Sequence, residues 1–347
     1  MSSRRAPLHP LLARPLAPLY GFAVARRNAR FDKGHGVRSG PVPVISVGNI
    51  SVGGVGKSPH VRYIASVLKA LGRRPAIVMR GYGPKVDGVS DEQAEHRAEA
   101  PGVPVVAHPN RYEAVARMLT TTIPKSDVAV LDDGFQHRRL RRDLDLVLID
   151  ATRSPFSDRL LPAGWLREPV SSLARASAVI LTHADIPQAA ALAALRADVE
   201  RVTGSRPIAE TRHAWGDPIP ALIEGRETVK PRAYLKGRTL VVACAIGNPD
   251  ALLWQTRSVG ATVGEAVVFR DHAPLGEAQI AKVIDTARAI NADAILCTPK
   301  DWTKFRRAPA DAWPCPVLRP RVEIAFERGR EEFDALIASA LERPRGG

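Results

Sequence analysis

One short segment limits what this chain can fold into more than any other: Gly53-Gly54-Val55-Gly56-Lys57-Ser58. Before it, Val42–Val47 is a β-branched run between prolines and glycines, which reads as a buried strand entering a tight loop. After it, Pro59 sits where a first helical turn tolerates proline. Val61, Ile64, Ala65, Leu68 and Leu71 then recur at helical spacing until Gly72. Strand, glycine loop and helix in that order build a cradle for phosphate. The glycines let backbone N–H groups turn inward, the helix N-terminus adds its positive end, Lys57 reaches the β- and γ-phosphates, and Ser58 offers a hydroxyl to Mg²⁺. The full pattern has glycine at position 51, where this chain has Ser51.

A phosphate loop of this kind needs a parallel sheet around it, and the pattern supplies one. Short strands are expected at Ala76–Met79, Val103–Val106, Val128–Leu131, Leu146–Ile149 and Val179–Thr182, with helices at Asn110–Leu119 and Ile186–Val202. Prolines and charges cluster between Gly204 and Lys236. A second set then follows: strand Thr239–Ile246, helix Pro249–Ser258, strand Val263–Phe269, helix Leu275–Ile290, strand Ala294–Thr298, strand Val317–Phe326 and a last helix. The expected fold is α/β: a P-loop NTPase-type, mostly parallel sheet flanked by helices, with a second, smaller α/β domain. The expected division is a basic amphipathic segment over 1–40, the P-loop domain over 41–210, a hinge over 211–238 and the smaller domain over 239–347. A length of 347 residues suits two such units.

The hydrophobic share of 45% and charged share of 25% are those of a folded chain. Cys244, Cys297 and Cys315 are odd in number and far apart, which suggests buried thiols in a reducing, cytoplasmic compartment rather than disulfides or a zinc site. A net charge of +14 calls for anionic surroundings, whether a phosphorylated substrate, lipid headgroups or nucleic acid, and also fits an Arg-rich solvated surface. No apolar run reaches the roughly 18 to 20 residues that span a bilayer. Near the N-terminus Leu11, Leu12, Leu16, Leu19, Tyr20, Phe22 and Val24 alternate with Arg14, Arg26, Arg27 and Arg30. Two readings stand for this stretch: an interfacial segment lying on anionic lipid, and a helix packed on its own domain.

A second chemical element follows Val128–Leu131. A hydrophobic strand ending in Asp132-Asp133 places acids where a Mg²⁺ ion is held opposite the phosphate loop. Asp-Gly is also a turn signal. Arg80-Gly81-Tyr82-Gly83 and Asp271-His272 follow predicted strands, and each on its own also fits a plain turn or surface feature. Thr182-His183-Ala184-Asp185 falls where a guanine-reading TKxD loop sits in GTPases. His183 stands for its lysine, which favours ATP.

Taken in order, these motifs resemble one family, the tetraacyldisaccharide 4'-kinases of lipid A biosynthesis. The likeness runs through VPVISVGNISVGGVGKSP, RGYG, the SDE at Ser90–Glu92, NRYEA at Asn110–Ala114, LDDGFQHRRL, LLPAGWLREP at Leu160–Pro169, AIGNP at Ala245–Pro249 and FRDH at Phe269–His272. The resemblance implies transfer of the γ-phosphoryl group of ATP, with Mg²⁺, to the 4'-hydroxyl of a tetraacylated glucosamine disaccharide 1-phosphate. That lipid would be met from the cytoplasmic face of the inner membrane, with peripheral attachment and lipid IVA as product. Two domains closing around the nucleotide are implied as well.

By the same resemblance, Gly53, Gly54, Val55, Gly56, Lys57 and Ser58 bind the nucleotide. Ser58, Asp132 and Asp133 belong to the metal site, and Gln136 and His137 to the transfer site. Asp91 takes the hydroxyl proton with His272 as its partner. Arg80, Tyr82, Arg111, Arg167 and Glu168 fall on other active-site positions. The chain departs from the family's usual residues at Ser58, Ser90 and Gln93. A regulatory or metal-delivery NTPase is the alternative within the fold, although such loops often carry a further lysine where this chain has Val52. Nucleic acid is not an expected partner: the Arg138–Arg142 cluster has no recognition motif behind it.

Overall fold

The computed structural model describes residues 10–81, 85–86, 89–246, 249–270 and 275–342. The chain forms two compact units, one made of residues 1–213 with 324–347 and the other of residues 214–323.

At the centre of the first unit the run around Ile45 forms the strand Val44–Gly48, buried along its whole length. It pairs in parallel with Val128–Asp132 on one side and Leu144–Asp150 on the other. The eight-stranded sheet runs in the order Val322–Arg328, Ala209–Trp215, Ala178–Thr182, Leu144–Asp150, Val44–Gly48, Val128–Asp132, Pro75–Met79, Val105–Ala107. Strands buried on both faces are continuous apolar runs, as parallel sheets require. The helix Lys57–Ala70 lays His60, Val61, Ile64, Ala65 and Leu68 against this sheet. Fully burying Val61, Ile64 and Leu68 contributes roughly 1.5–3 kcal/mol each. The register of Val47 against Asp132 puts the mouth of the glycine loop beside the acids.

The ending of the chain departs from expectation. Val317–Phe326 is not one strand: Val317–Leu318 belongs to the second unit's sheet and Val322–Arg328 to the edge of the large one. Pro320, which lacks an N–H to offer a ladder, lies between them. The last helix, Arg330–Glu342, returns to the first unit. Its Phe333 is fully buried. The Tyr63 ring lies 6.1 Å from that of Phe333 and 5.1 Å from that of Phe326, and its hydroxyl donates to Asp334 Oδ1 at 2.8 Å.

The second unit has a six-stranded sheet ordered Arg226–Lys230, Ile219–Ile223, Val317–Leu318, Ala294–Cys297, Thr239–Cys244, Thr262–Val268. Its last four strands pair in parallel, while Ile219–Ile223 is antiparallel to both neighbours. The stretch expected as a hinge over 211–238 therefore carries two of these strands and part of Ala209–Trp215. Cys244 and Cys297 are buried, Cys315 is half-buried, and all three thiols are free.

The N-terminal helix Pro10–Asp32 packs on its own unit, as one of the two readings of its sequence expects. Its inner face packs on the first unit: Val24 is buried, the Tyr20 hydroxyl donates to Arg167 O at 2.9 Å, and the Arg138 guanidinium lies over the Phe31 ring. Its outer stripe leaves Leu16, Leu19 and Phe22 exposed at 44%, 66% and 68%, continued by exposed Arg26 and Arg30. Among the described residues no helix is long and apolar enough to cross a membrane.

Candidate active site

The glycine loop is set by backbone geometry that only glycine adopts readily. Gly53 and Gly56 have φ of 128° and 79°, and a Cβ on Gly56 would sit 2.5 Å from His213 Nε2. Around Gly54 a Cβ would meet nothing within 4 Å, so its backbone faces open space. Val55 is buried in the core and anchors the loop from below. The entry to the loop is bound to the LREP segment: Val52 N donates to Trp165 O and Arg167 N to Ile50 O, each at 2.7 Å.

Lys57 and Ser58 open the helix and face the two acids at the end of Val128–Asp132. Lys57 Nζ lies 3.3 Å from Asp133 Oδ1 and 3.3 Å from Asn49 Oδ1. Ser58 Oγ lies 3.4 Å from Asp132 Oδ2, which also accepts from His96 Nε2 at 2.7 Å. Asp133 is held in the left-handed region, φ 55°, which turns its carboxylate away from the strand and towards Lys57 and Arg167. Arg167 grips it with Nη1 to Oδ2 and Nη2 to Oδ1, and also meets the Asn49 side-chain oxygen. Burial works against charge on Asp133, yet Arg167 and Lys57 hold its carboxyl well below the usual range. Asp132, opposed by burial too, is held low by His96 and then Lys57.

Around this centre, Arg111 is 3% exposed and donates from Nη2 to the Asp132 carbonyl at 3.2 Å. Its own burial, countered by Asp133 and Asp132, pushes it down to about 10. His137 is pushed down to about 4 by burial and then by the positive charges of Arg111 and Arg80. Gln136 donates to Asn49 O at 2.8 Å, leaving its Oε1 buried without a partner.

Glu168 differs from the rest of the set. It is fully buried and enclosed by the chain's own groups, with Arg175 at 2.9 Å and 3.0 Å, Arg27 at 3.3 Å and Asn28 at 2.8 Å. Its carboxylate fastens the N-terminal helix beside Arg167. Asp91 opens the helix Asp91–Glu99, and the two departures around it form one cap, Ser90 Oγ accepting from Gln93 N at 3.3 Å. Tyr82 and His272 lie outside the described residues. In the THAD segment, His183 Nδ1 is 3.2 Å from Asp150 Oδ1 and its Nε2 is 3.3 Å from His213 Nδ1.

Sequence reasoning missed Asn49, His96 and Arg175. Asn49 and His96 carried a faint signal. Asn49 is the polar residue directly after the central strand and is fully buried. Gln93, His96 and Ala100 recur at the three- and four-residue steps of a buried helical face.

The donor set fits magnesium. Ser58, Asp132 and Asp133 offer hard oxygens, and Mg²⁺ takes one or two carboxylates and completes its octahedron with phosphate and water. A glycine cradle, a lysine and facing acids at the carboxyl ends of parallel strands define a P-loop phosphotransferase.

Comparison with known proteins takes this class to one family. The family model for Tetraacyldisaccharide-1-P 4'-kinase matches residues 9–342. The tetraacyldisaccharide 4'-kinase of Anaeromyxobacter sp. (strain K) is 36% identical over 97% of this chain and 93% of its own. That of Chlorobaculum parvum is 35% identical over 99% and 97%. Among solved structures, LpxK from Aquifex aeolicus in complex with ATP superposes with a TM-score of 0.70 at 29% identity, covering 94% of this chain and 98% of that one. The chain belongs to the tetraacyldisaccharide 4'-kinase family and is a kinase.

Proposed function

We propose that this kinase moves the γ-phosphoryl group of ATP to the 4'-hydroxyl of a tetraacylated glucosamine disaccharide 1-phosphate, working as a peripheral protein on the cytoplasmic face of the inner membrane. The observation that carries the reading is the facing of Lys57 and Ser58 towards Asp133 and Asp132 across the mouth of the glycine loop. The loop amides and Lys57 hold the β- and γ-phosphates, and Arg111 and Arg167 add positive charge where it accumulates during transfer. Ser58, Asp132 and Asp133 would hold Mg²⁺, which when bound neutralises oxygens of the β- and γ-phosphates. The acceptor oxygen forms a bond to the γ-phosphorus, the bond to the bridging oxygen of ADP breaks, and the hydroxyl proton passes to the Asp91 carboxylate, for which the resemblance names His272 as partner. Arg80, Gln136 and His137 serve the acceptor side, as does Tyr82 by its match to the family's motif. Glu168 acts through Arg167 and the N-terminal helix.

The exposed stripe Leu16, Leu19, Phe22 followed by Arg26 and Arg30 supports peripheral attachment. It has the apolar side chains for the acyl boundary and the cations for anionic headgroups. Radiolabel transfer from ATP into a detergent-solubilised tetraacyl disaccharide 1-phosphate tests the reaction. Label appearing at the 4' position is the expected result. Hydrolysis of ATP at the same rate with and without acceptor would reject it.

A further inference from the structure

Among the described residues the His96 ring makes one hydrogen bond, and it goes to the carboxylate facing Ser58. The ring is 1% exposed, its Nε2 lies 2.7 Å from Asp132 Oδ2, and its Nδ1 is buried with no partner. Leucine at this place in the buried row of Gln93 and Ala100 would fill a similar volume without leaving a ring nitrogen buried and unsatisfied, which is unfavourable. What a leucine cannot do is donate to Asp132.

The bond also closes a ring of contacts. Ser58 and Arg62 stand one turn apart on the helix Lys57–Ala70. Ser58 meets Asp132 Oδ2 at 3.4 Å. Arg62 reaches Glu95 at 3.3 Å and Glu99 at 2.6 Å on the helix Asp91–Glu99. From that second helix His96 returns to Asp132. The helix that begins with Asp91 is thus bolted at one point to the phosphate-loop helix and at another to the acid beside it.

We propose that His96 is a positioning residue for the metal site. With donors from His96 and Ser58 on Oδ2, the Asp132 carboxylate is fixed in one rotation and presents Oδ1 as its oxygen for a divalent cation. The same bond holds the Asp91–Glu99 helix in register with the phosphate loop. Groups that orient a metal-binding carboxylate in this way affect metal affinity or activity by about 10–100-fold when removed. The inference rests on Asp132 being the magnesium carboxylate proposed above.

The test is calorimetric titration of the full-length protein with ATP in EDTA and across a MgCl₂ series. His96→Leu is expected to raise the magnesium concentration for half-maximal enhancement of ATP binding at least tenfold and to leave ATP affinity in EDTA within twofold. His96→Gln, whose amide can donate where Nε2 does, is expected to stay within threefold of wild type. His96→Asn is polar and too short to reach, and it gives the same reading as leucine should the leucine variant not fold. A wild-type magnesium dependence in both the leucine and asparagine variants would overturn the proposal. So would an equal loss with and without magnesium, which would mark a merely structural role. Absence of any magnesium effect in the wild-type protein would instead reject the underlying nucleotide-site reading, and this inference with it.

Discussion

Arg167 closes on Asp133 through two parallel hydrogen bonds of 2.9 Å each, while Lys57 stands 3.3 Å from the same carboxylate. Two cations on one acid leave a site that is poised for a polyanion, because triphosphate can take over both when it arrives. A bidentate pair is geometric as well as ionic, so lysine is no equivalent. Arg167→Ala is expected to lower kcat/KM at least 100-fold, and Arg167→Lys to recover less than a tenth of wild-type activity. Initial rates in the detergent assay check both.

Gly56 is excluded from change twice over, by its φ of 79° and by the His213 ring where a Cβ would go. Gly56→Ala is expected to destabilise the first unit by about 1–3 kcal/mol and to abolish ATP binding. Adding His213→Ala relieves the steric part alone, so urea midpoints should recover partly while ATP binding stays lost. Full recovery of both would show that the backbone conformation is dispensable.

His60 ties the start of the phosphate-loop helix to the sheet, with Nδ1 2.7 Å from Gly56 O and Nε2 3.1 Å from Thr211 Oγ1. Burial, opposed by the Gly56 carbonyl and aided by His183, pushes it down to about 4. The unfolded chain therefore takes up a proton below the ordinary histidine value near 6.5 that the folded chain refuses until about 4. Stability from this group is present above that range and falls as pH falls through it. Between pH 7 and 5 the wild type is expected to lose about 2 kcal/mol more than a His60→Gln variant. Urea titrations at the two pH values decide, and parallel losses would reject it.

Among the described residues, Leu19 and Phe22 are the most exposed large apolar side chains of the N-terminal helix. Leu19→Asp with Phe22→Asp is expected to cut recovery on vesicles containing anionic lipid at least tenfold, since each apolar side chain removed from water contributes roughly 1.5–3 kcal/mol. Activity on detergent-dispersed substrate should stay near wild type. Flotation assays read the first, and unchanged flotation would reject membrane contact through this face.

The central architecture was legible because one property dominates it: strands buried on both sides are mostly apolar, as Val44–Gly48, Val128–Asp132 and Leu144–Asp150 are apart from Ser46, Asp132, Asp145 and Asp150. The glycine loop was legible because its φ values demand glycine. Ala209–Trp215 escaped notice because Arg212 and His213 interrupt its apolar pattern. Ile219–Ile223 and Arg226–Lys230 were hidden among prolines and charges, the second being an edge strand with exposed side chains. In the site, Lys57, Ser58 and Asp132 could be read from spacing, whereas the roles of Asn49 and His96 depend on neighbours distant in sequence. Glu168, an active-site position by resemblance, is enclosed by Arg27 and Asn28, 141 and 140 residues away, and by Arg175, seven residues on, partners that no local spacing reveals.

Because the strand Val322–Arg328 and the helix Arg330–Glu342 belong with a unit that begins at the other end of the chain, a ribosome finishes the middle of this protein before its beginning. Until Phe326 and Phe333 have emerged, the flank of the phosphate-loop helix at Tyr63 has nothing to lie against. A nascent polypeptide would thus hold a whole second unit while the first still lacks the cover that Phe326 and Phe333 give to Tyr63.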